Sequence, residues 1–385
     1  MFTRRFLPAD LRISATRAGA RTETKLGTIT PEHKLLYPPY IPSSNDKITF
    51  MTYNILSPAY MWPQVYTYVP ELYKDWRYRH KLLEAELLHI YKTDILCLQE
   101  LTERDYLEFW KPVMLKVHSM GSNFIAKSAP KYWHDAPDRL DGSGIFYNGD
   151  KFEFIHSEGI YLSDFLGVFA REELKSIGSR MLTLTDGNGT AIEETTLLEF
   201  LKRKNQVCLF VTLKHRPSGL VFVVINTHLY WKYDEVKLAQ CSIIMRQLAK
   251  LLDNLKVQRG YTDAQIRVLF AGDLNSTKES LVMNYLRGES LDIRGLNVAN
   301  PMAKCLNRSV YDDIDENKLF DSTCFSGKLK GIFDYIWYHD SDFKLRRILS
   351  GIEVSQELDF KRQFGLPNSI HPSDHIPLLV EFLIV

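Results

Sequence analysis

The chain has 385 residues, 45% hydrophobic and 25% charged, with a net charge of +1. This is the balance of a globular protein with a large core, in one large or two ordinary domains. At this charge no global field pulls the protein onto long nucleic acid; a phosphate-handling protein with this balance grips a short stretch or a single end. The five scattered Cys have no CxxC or Cys/His zinc spacing. Cys97 and Cys208 lie in apolar runs and read as buried free thiols of a reducing compartment. No apolar run approaches the roughly 18 residues that cross a bilayer.

In chain order, residues 1–21 carry Arg4, Arg5, Arg12, Arg17 and Arg21 against the single acid Asp10, with apolar residues between. That is the composition of a mitochondrial transit peptide; the competing reading is a disordered basic tail. Residues 22–46 read as a linker, so the expected division is a targeting segment and linker at 1–46 and one catalytic domain at 47–385. Mitochondrial location, in the matrix or on a membrane, is expected, with the cytoplasm as the alternative.

Lys47 to Asn54 alternates and predicts a strand. Residues 75–92 predict an amphipathic helix, residues 93–98 a buried strand ending in Gln99-Glu100, and residues 102–116 a second helix. Strands are predicted at 123–126, 144–147 and 152–155, and a helix at 192–203. Residues 206–213 and 220–225 predict a hairpin closed by His215-Arg-Pro-Ser-Gly219 and ending in Asn226-Thr-His228. A long helix follows from Asp234 to about Leu255. Ile266 to Phe270 is an apolar strand followed by Gly272-Asp-Leu-Asn275, then a short helix at 278–286. Residues 333–338 and 378–383 predict the last strands, with His371-Pro-Ser-Asp-His375 before the second. Hairpins mixed with helical crossovers favour two packed sheets with helices outside.

The polar groups at these strand ends are Asn54, Glu100, His228, Asp273, Asn275, Asp334, Asp374 and His375. Each alone has an ordinary explanation, as a helix cap, a turn residue or a structural histidine. Together they form an oxygen-rich set with two imidazoles and no thiolate, which suits Mg²⁺ or Mn²⁺ rather than zinc. Glu100 with Asn54 beside it is the natural ligand pair. His375 with Asp334 makes an oriented imidazole, and His228 and Asn275 can donate to phosphoryl oxygens.

These motifs, in this order, resemble the endonuclease/exonuclease/phosphatase superfamily, whose fold is that of DNase I. Thr52-Tyr-Asn-Ile-Leu-Ser57, Asp141-Gly-Ser-Gly-Ile-Phe146, Asn205-Gln-Val207, Lys237-Leu-Ala-Gln240 and Lys330-Gly331 are similar to its carbon-catabolite-repression deadenylase, nocturnin and Angel branch. The likeness is greatest to short fungal, mitochondria-associated members, and it covers residues 47–385. It implies an α+β fold, a four-layer α/β/β/α sandwich of two mixed sheets flanked by helices. It implies that Glu100, Asn54 and Asp374 hold or adjoin the metal. His228 would contact the phosphate, and Asp273, with Asn275 adjacent, would orient or deprotonate the attacking water. Asp334 and His375 would stabilise the phosphoryl group or take a proton.

Two features depart from the poly(A)-specific members, which stack adenine on a Phe before Lys-Gly and on a Pro after the Asn-Thr-His strand. Here Leu329 precedes Lys330, and Leu-Tyr-Trp-Lys-Tyr233 follows His228. Stacking contributes about 1–3 kcal/mol per base, so poly(A) preference should be weak. Trp231 and Tyr233 are candidate replacement platforms, and Lys330 and Asn205 are candidate substrate contacts. No leucine-rich docking repeat is present, and a monomer is expected. The expected activity is Mg²⁺-dependent 3′–5′ exoribonuclease action releasing 5′-mononucleotides. The alternatives are a phosphatase acting on a 2′,3′-cyclic RNA end or a nucleotide such as NADP, and a catalytically inactive RNA-binding relative.

Overall fold

Met51, Leu96, Val224 and Leu269 lie next to Phe50, Ile95, Val223 and Phe270, and all eight are buried. Strands that are apolar on both faces need cover on both sides. The computed structural model describes residues 6–8, 45–128, 140–289, 291–293, 296–312, 322–327, 329–349 and 365–385. It supplies that cover with two mixed sheets packed face to face between outer helices.

The first sheet runs Phe6–Pro8, Phe343–Leu349, Leu378–Ile384, Lys47–Asn54, Ile95–Thr102, Asp141–Asn148, Met120–Ala126. The second runs Arg308–Ser309, Asp334–Tyr338, Ile266–Asp273, Val221–His228, Val207–His215, Phe152–Tyr161. Ile48, Phe50 and Cys97 of the first sheet share one core with the second sheet and with the long helix Asp234–Arg259. Met51, Tyr53 and Leu98 face the other way, onto Leu83 and Leu87 of one outer helical segment and Trp110 and Met114 of the next.

Among the described residues, every pairing in these sheets is antiparallel except one pair near the middle of each. Lys47–Asn54 runs parallel to Ile95–Thr102, and Val221–His228 parallel to Ile266–Asp273. A parallel pair delivers two carboxyl ends to the same rim. Asn54 therefore lies opposite Gln99, next to Glu100, and His228 opposite Asp273. The antiparallel neighbour begins where its partner ends, which sets Asp334 opposite Asp273.

One layer below the rim, buried amides join the sheets. Gln99 Nε2 donates to Asn226 Oδ1 at 2.7 Å and to Thr52 Oγ1 at 2.9 Å. Asn226 Nδ2 donates to the carbonyls of Leu98 and Gly144, each at 2.9 Å. Asn226→Ala should strand these acceptors and the Gln99 amide at about 1–3 kcal/mol per group left unpaired. Urea unfolding would show this as a lowered midpoint; an unchanged midpoint would mean that the cross-sheet amides contribute nothing net.

On the outer face His80 sits between Glu84, Nδ1 to Oε1 2.8 Å, and Asp105, Nε2 to Oδ1 3.2 Å. Burial would lower its pKa, but Asp105 and then Glu84 outweigh burial and raise it above 6.5. A raised His pKa contributes stability that is complete below the unfolded value and lost as pH rises through the folded one. The stability deficit of His80→Gln, from urea curves, should therefore be larger at pH 5.5 than at pH 8.5. A deficit independent of pH would assign His80 a packing role against Trp76, Phe109 and Trp110.

The four-layer α+β architecture agrees with expectation, but several elements differ. The helix expected at 192–203 is instead the hairpin Met181–Thr185/Ala191–Thr196 followed by the short helix Leu197–Lys202, which Thr196 caps by accepting from Glu199 N. Ser280 caps the next short helix, so it begins at Leu281 rather than Lys278. Phe343–Leu349 is a further strand, absent from the predicted elements. Phe6–Pro8, inside the expected targeting segment, pairs with that strand as an edge. The rest of the expected 1–46 segment and linker, apart from 45–46, lies outside the described residues, as does the aromatic and basic loop at 131–134.

Candidate active site

Glu100 is buried and has a positive φ of 58°. The pairing of its strand with Asp141–Asn148 slips between Gln99 and Leu101, so Glu100 sits on a bulge that re-aims its side chain. A non-glycine residue held there is strained, and such strain is retained where a site needs it. Glu100 Oε1 accepts from Asn54 Nδ2 at 2.9 Å, and Oε2 accepts from Ser57 N at 2.8 Å. The same Asn54 Nδ2 donates to Asp273 Oδ2 at 3.0 Å. One amide thus joins the carboxylates of both sheets.

Asp273 follows Gly272, whose φ is 144° and where a Cβ would fall 1.9 Å from the Thr227 carbonyl oxygen. Only glycine lets this strand end approach its neighbour so closely. Asp273 Oδ1 accepts from Asn275 N at 2.9 Å, which closes a turn with Asn275 at φ 47°. Asp273 Oδ2 lies 3.5 Å from His228 Nε2 and 3.6 Å from His375 Nε2. His375 Nδ1 is 2.7 Å from Oδ2 of Asp334, which is fully buried. Asp374 Oδ2 accepts from Tyr66 OH at 2.9 Å. All eight strand-end residues named from the sequence thus belong to one rim, with His228 Nδ1 3.9 Å from Glu100 Oε1.

Charge at the rim is unbalanced. Burial, and then Asp141 and Asp374, push the Glu100 carboxyl up to about 7. Burial pushes Asp273 up to about 6, with His375 opposing and Asp334 adding. Burial, Lys127 and His375 hold His228 well below 6.5. Burial would lower His375, but Asp334, Cys324 and Asp273 raise it well above 6.5. His228 Nδ1 and Asp334 Oδ1 are buried and find no hydrogen-bond partner among the described residues. Buried polar atoms without partners are expected where a substrate or ion completes the set.

This donor set fits a hard divalent cation. Glu100 and Asp374 are buried carboxylates whose fields add, and Asn54 holds Glu100 in place through its Nδ2. Two carboxylates with water and substrate oxygen suffice for such an ion. Among the described residues, the three-donor clusters within 4.8 Å are Asp273/Asp334/His375 and Cys324/Asp374/His375. The first is accounted for by the His375–Asp334 pair.

The other substrate candidates stand apart in their bonding. Lys330 is exposed on the hairpin Cys324–Ser326/Leu329–Gly331, its Nζ 5.6 Å over the Phe325 ring. Trp231 is 62% exposed, whereas Tyr233 accepts from Thr185 N at 3.0 Å and packs against Phe200. Asn205 Nδ2 donates to Ser128 O at 2.9 Å. Asn275 donates its amide to Leu229 O at 2.9 Å.

Several site residues carry no strand-end signature. Arg79 is fully buried and donates to Leu56 O and Pro372 O, each at 2.9 Å, tying the segment after Asn54 to the one before Asp374. Lys127 and Asp141 form a buried ion pair at 2.7 Å, and Tyr60 OH donates to Asp141 Oδ1 at 2.8 Å. A Tyr in a Pro-rich loop beside a strand end is the only sequence signal for Tyr60 and Tyr66.

A rim of carboxylates and imidazoles between two sandwiched sheets suits the chemistry of a phosphoester hydrolase. Residues 51–375 match the Endonuclease/Exonuclease/phosphatase family, and the chain belongs to it. It is 52% identical to the protein named RNA exonuclease NGL1 of Saccharomyces cerevisiae, over 100% of both chains. It is 29% identical to the CCR4-Not complex 3′-5′-exoribonuclease subunit Ccr4 of the same yeast, over 87% of this chain but 38% of Ccr4. Among solved structures, the human nocturnin catalytic domain with bound sulfate shares the fold, at TM-score 0.56, 21% identity, and coverage of 88% of this chain and 95% of that one. ANGEL2, a 2′,3′-cyclic phosphatase, in complex with adenosine-2′,3′-vanadate does so at TM-score 0.63, 19% identity, and coverage of 87% and 95%.

Proposed function

We propose that the protein is a Mg²⁺- or Mn²⁺-dependent exoribonuclease that shortens RNA from its 3′ end to 5′-mononucleotides without strict preference for poly(A). The observation that carries this reading is Asn54 Nδ2 bonded at once to Glu100 and Asp273, which joins the two carboxylates across the sheets. The full-length likeness to an RNA exonuclease supports RNA as substrate. Leu329, 51% exposed where the poly(A)-specific members place a ring, supports weak base preference.

Glu100, with Asn54 and Asp374 beside it, would hold the divalent ion, which when bound supplies positive charge to a phosphoryl oxygen. Asp273, fixed by Asn54 and Asn275 N, orients the attacking water and accepts its proton. His228, neutral because its pKa is depressed, donates one ring N–H to a non-bridging oxygen. His375, held charged by Asp334, balances the negative charge that develops on the phosphoryl group.

The test incubates the purified protein and Mg²⁺ with 5′-labelled RNA, with RNA ending in a 2′,3′-cyclic phosphate, and with NADP. A ladder of shortened RNA, absent for Asp273→Asn, is the expected result. Phosphate release or ring opening without shortening would instead establish the phosphatase that the likeness in fold to ANGEL2 also accommodates. No turnover on any substrate would leave a binding protein.

We also propose that residues 1–46 address the protein, acting as a monomer, to mitochondria. A fluorescent protein carrying residues 1–46 should accumulate there; diffuse cytoplasmic signal would overturn the assignment.

A further inference from the structure

The strand Cys324–Ser326 has a second partner besides its hairpin mate. Cys324 pairs through its backbone with His375, with Phe325 N donating to Asp374 O at 2.8 Å and Ile376 N donating to Thr323 O at 2.8 Å. This pairing fixes the Cys324 thiol beside the two residues that close the hydrolytic rim. Cys324 Sγ lies 4.0 Å from Asp374 Oδ2. A sulfur, a carboxylate oxygen and an imidazole nitrogen of Cys324, Asp374 and His375 all fall within 4.8 Å of one another, and all three residues are buried.

Tetrahedral zinc has Zn–S near 2.3 Å and Zn–N or Zn–O near 2.0–2.2 Å, so its donors stand about 3.3–3.6 Å apart. Reaching that geometry from the observed triangle requires side-chain rotations that release a His375 nitrogen from Asp334 or Asp273 and Asp374 Oδ2 from Tyr66. The donor types also sort the ions. Glu100 offers only carboxylate oxygen and suits a hard cation, while the triad with a thiol selects a softer one.

We propose that Cys324, Asp374 and His375 form an inhibitory site for a thiophilic divalent cation, Zn²⁺, at the edge of the hydrolytic centre. On binding, the thiol S–H bond and one N–H bond of the His375 imidazolium break, Zn–S and Zn–N bonds form, and both protons leave to solvent. Both ring nitrogens of His375 face groups of the centre, Nδ1 facing Asp334 and Nε2 facing Asp273. Capture of either nitrogen removes the imidazole from the reaction, and capture of Asp374 removes a carboxylate from the Glu100 side. Zn²⁺ therefore inhibits, competing with Mg²⁺ for Asp374 alone while the thiol and the imidazole remain its own ligands. This consequence rests on the hydrolytic reading above; the ion site itself does not.

The test has two arms on the full chain. In the first, without substrate, the protein is titrated with Co²⁺ and its near-ultraviolet sulfur-to-cobalt charge-transfer band is read; Zn²⁺ then displaces the Co²⁺. Wild type should show the band and Cys305→Ser should keep it. Cys324→Ser and Cys324→Thr should lose it and weaken Zn²⁺ binding by about 10-fold or more, since even outer partners of a metal are worth 10–100-fold. In the second arm, Zn²⁺ inhibition at saturating Mg²⁺ is measured on the substrate that turns over, each protein against its own zinc-free rate. The Cys324 variants should require about 10-fold more Zn²⁺. No band in wild type, a band retained in either folded variant, or equal inhibition of wild type and variants would overturn the proposal. A band without any RNA turnover would uphold the ion site and refute the nuclease assignment.

Discussion

Glu100→Gln is expected to lower kcat on RNA by at least about 10²–10³, through lost charge at the divalent-ion site and lost transition-state stabilisation. The change is nearly isosteric, so it isolates charge from volume. Both oxygens of Glu100 are acceptors, one for Asn54 Nδ2 and one for Ser57 N. A glutamine keeps a single acceptor and turns an N–H toward one of those donors. It also removes the carboxylate that burial, Asp141 and Asp374 already hold up near 7. That raised value describes a carboxyl short of positive charge, and a divalent cation is the group that relieves it. The folded state should survive, because removing one of several buried like charges lowers their mutual repulsion. Steady-state rates against Mg²⁺ concentration, with a far-ultraviolet spectrum to certify folding, check the prediction. A folded variant with wild-type turnover would refute the placement of the ion at Glu100.

The rim was legible because its residues interrupt apolar runs. Asn54, His228 and Asp273 each end a buried strand and Glu100 sits on a bulge near the end of another; each alone has an ordinary structural use, but together they do not. Topology then does the rest: the parallel pair at the middle of each sheet sends those ends to one side. What supports the rim was not legible. Tyr66 meets Asp374 across 308 positions, and Ser373 Oγ donates to Asn54 O across 319. No local pattern marks such partners. Cys324 is a buried free thiol whose neighbours come from a backbone bridge that no periodicity announces.

Misread elements have equally local causes. In Phe343–Leu349 the alternation of buried and exposed residues runs only to Arg346. A register shift between Leu345 and Arg347 then breaks the period, and Arg347 turns toward Glu381, Nη2 to Oε2 2.6 Å. The hairpin at 181–196 carries Glu193, Glu194, Thr195 and Thr196, residues that read as a helix start because the following Leu197–Lys202 is one. Strand propensity there is decided by the cross-strand partner, with Thr183 Oγ1 donating to Glu194 Oε1 at 2.7 Å.

Asp334→Asn and His375→Ala are expected to lower kcat by at least about 10², the range for a positioned proton donor or acceptor, while KM changes little. The split follows from when the pair acts. A ground-state phosphodiester already carries its charge, and an imidazolium matters most to the additional charge that develops as water attacks. Asp334 reaches the reaction only through His375: its Oδ2 lies 2.7 Å from Nδ1 and is fully enclosed. With Asn at that position the ring loses the carboxylate that keeps it charged and oriented. Because the two residues form one unit, the double variant should be no slower than His375→Ala alone; independent roles would multiply the two losses. Multiplicative losses would mean that Asp334 has a second task, served by the Oδ1 that finds no protein partner among the described residues. A rise in KM with kcat intact would move the pair from the chemical step to ground-state binding.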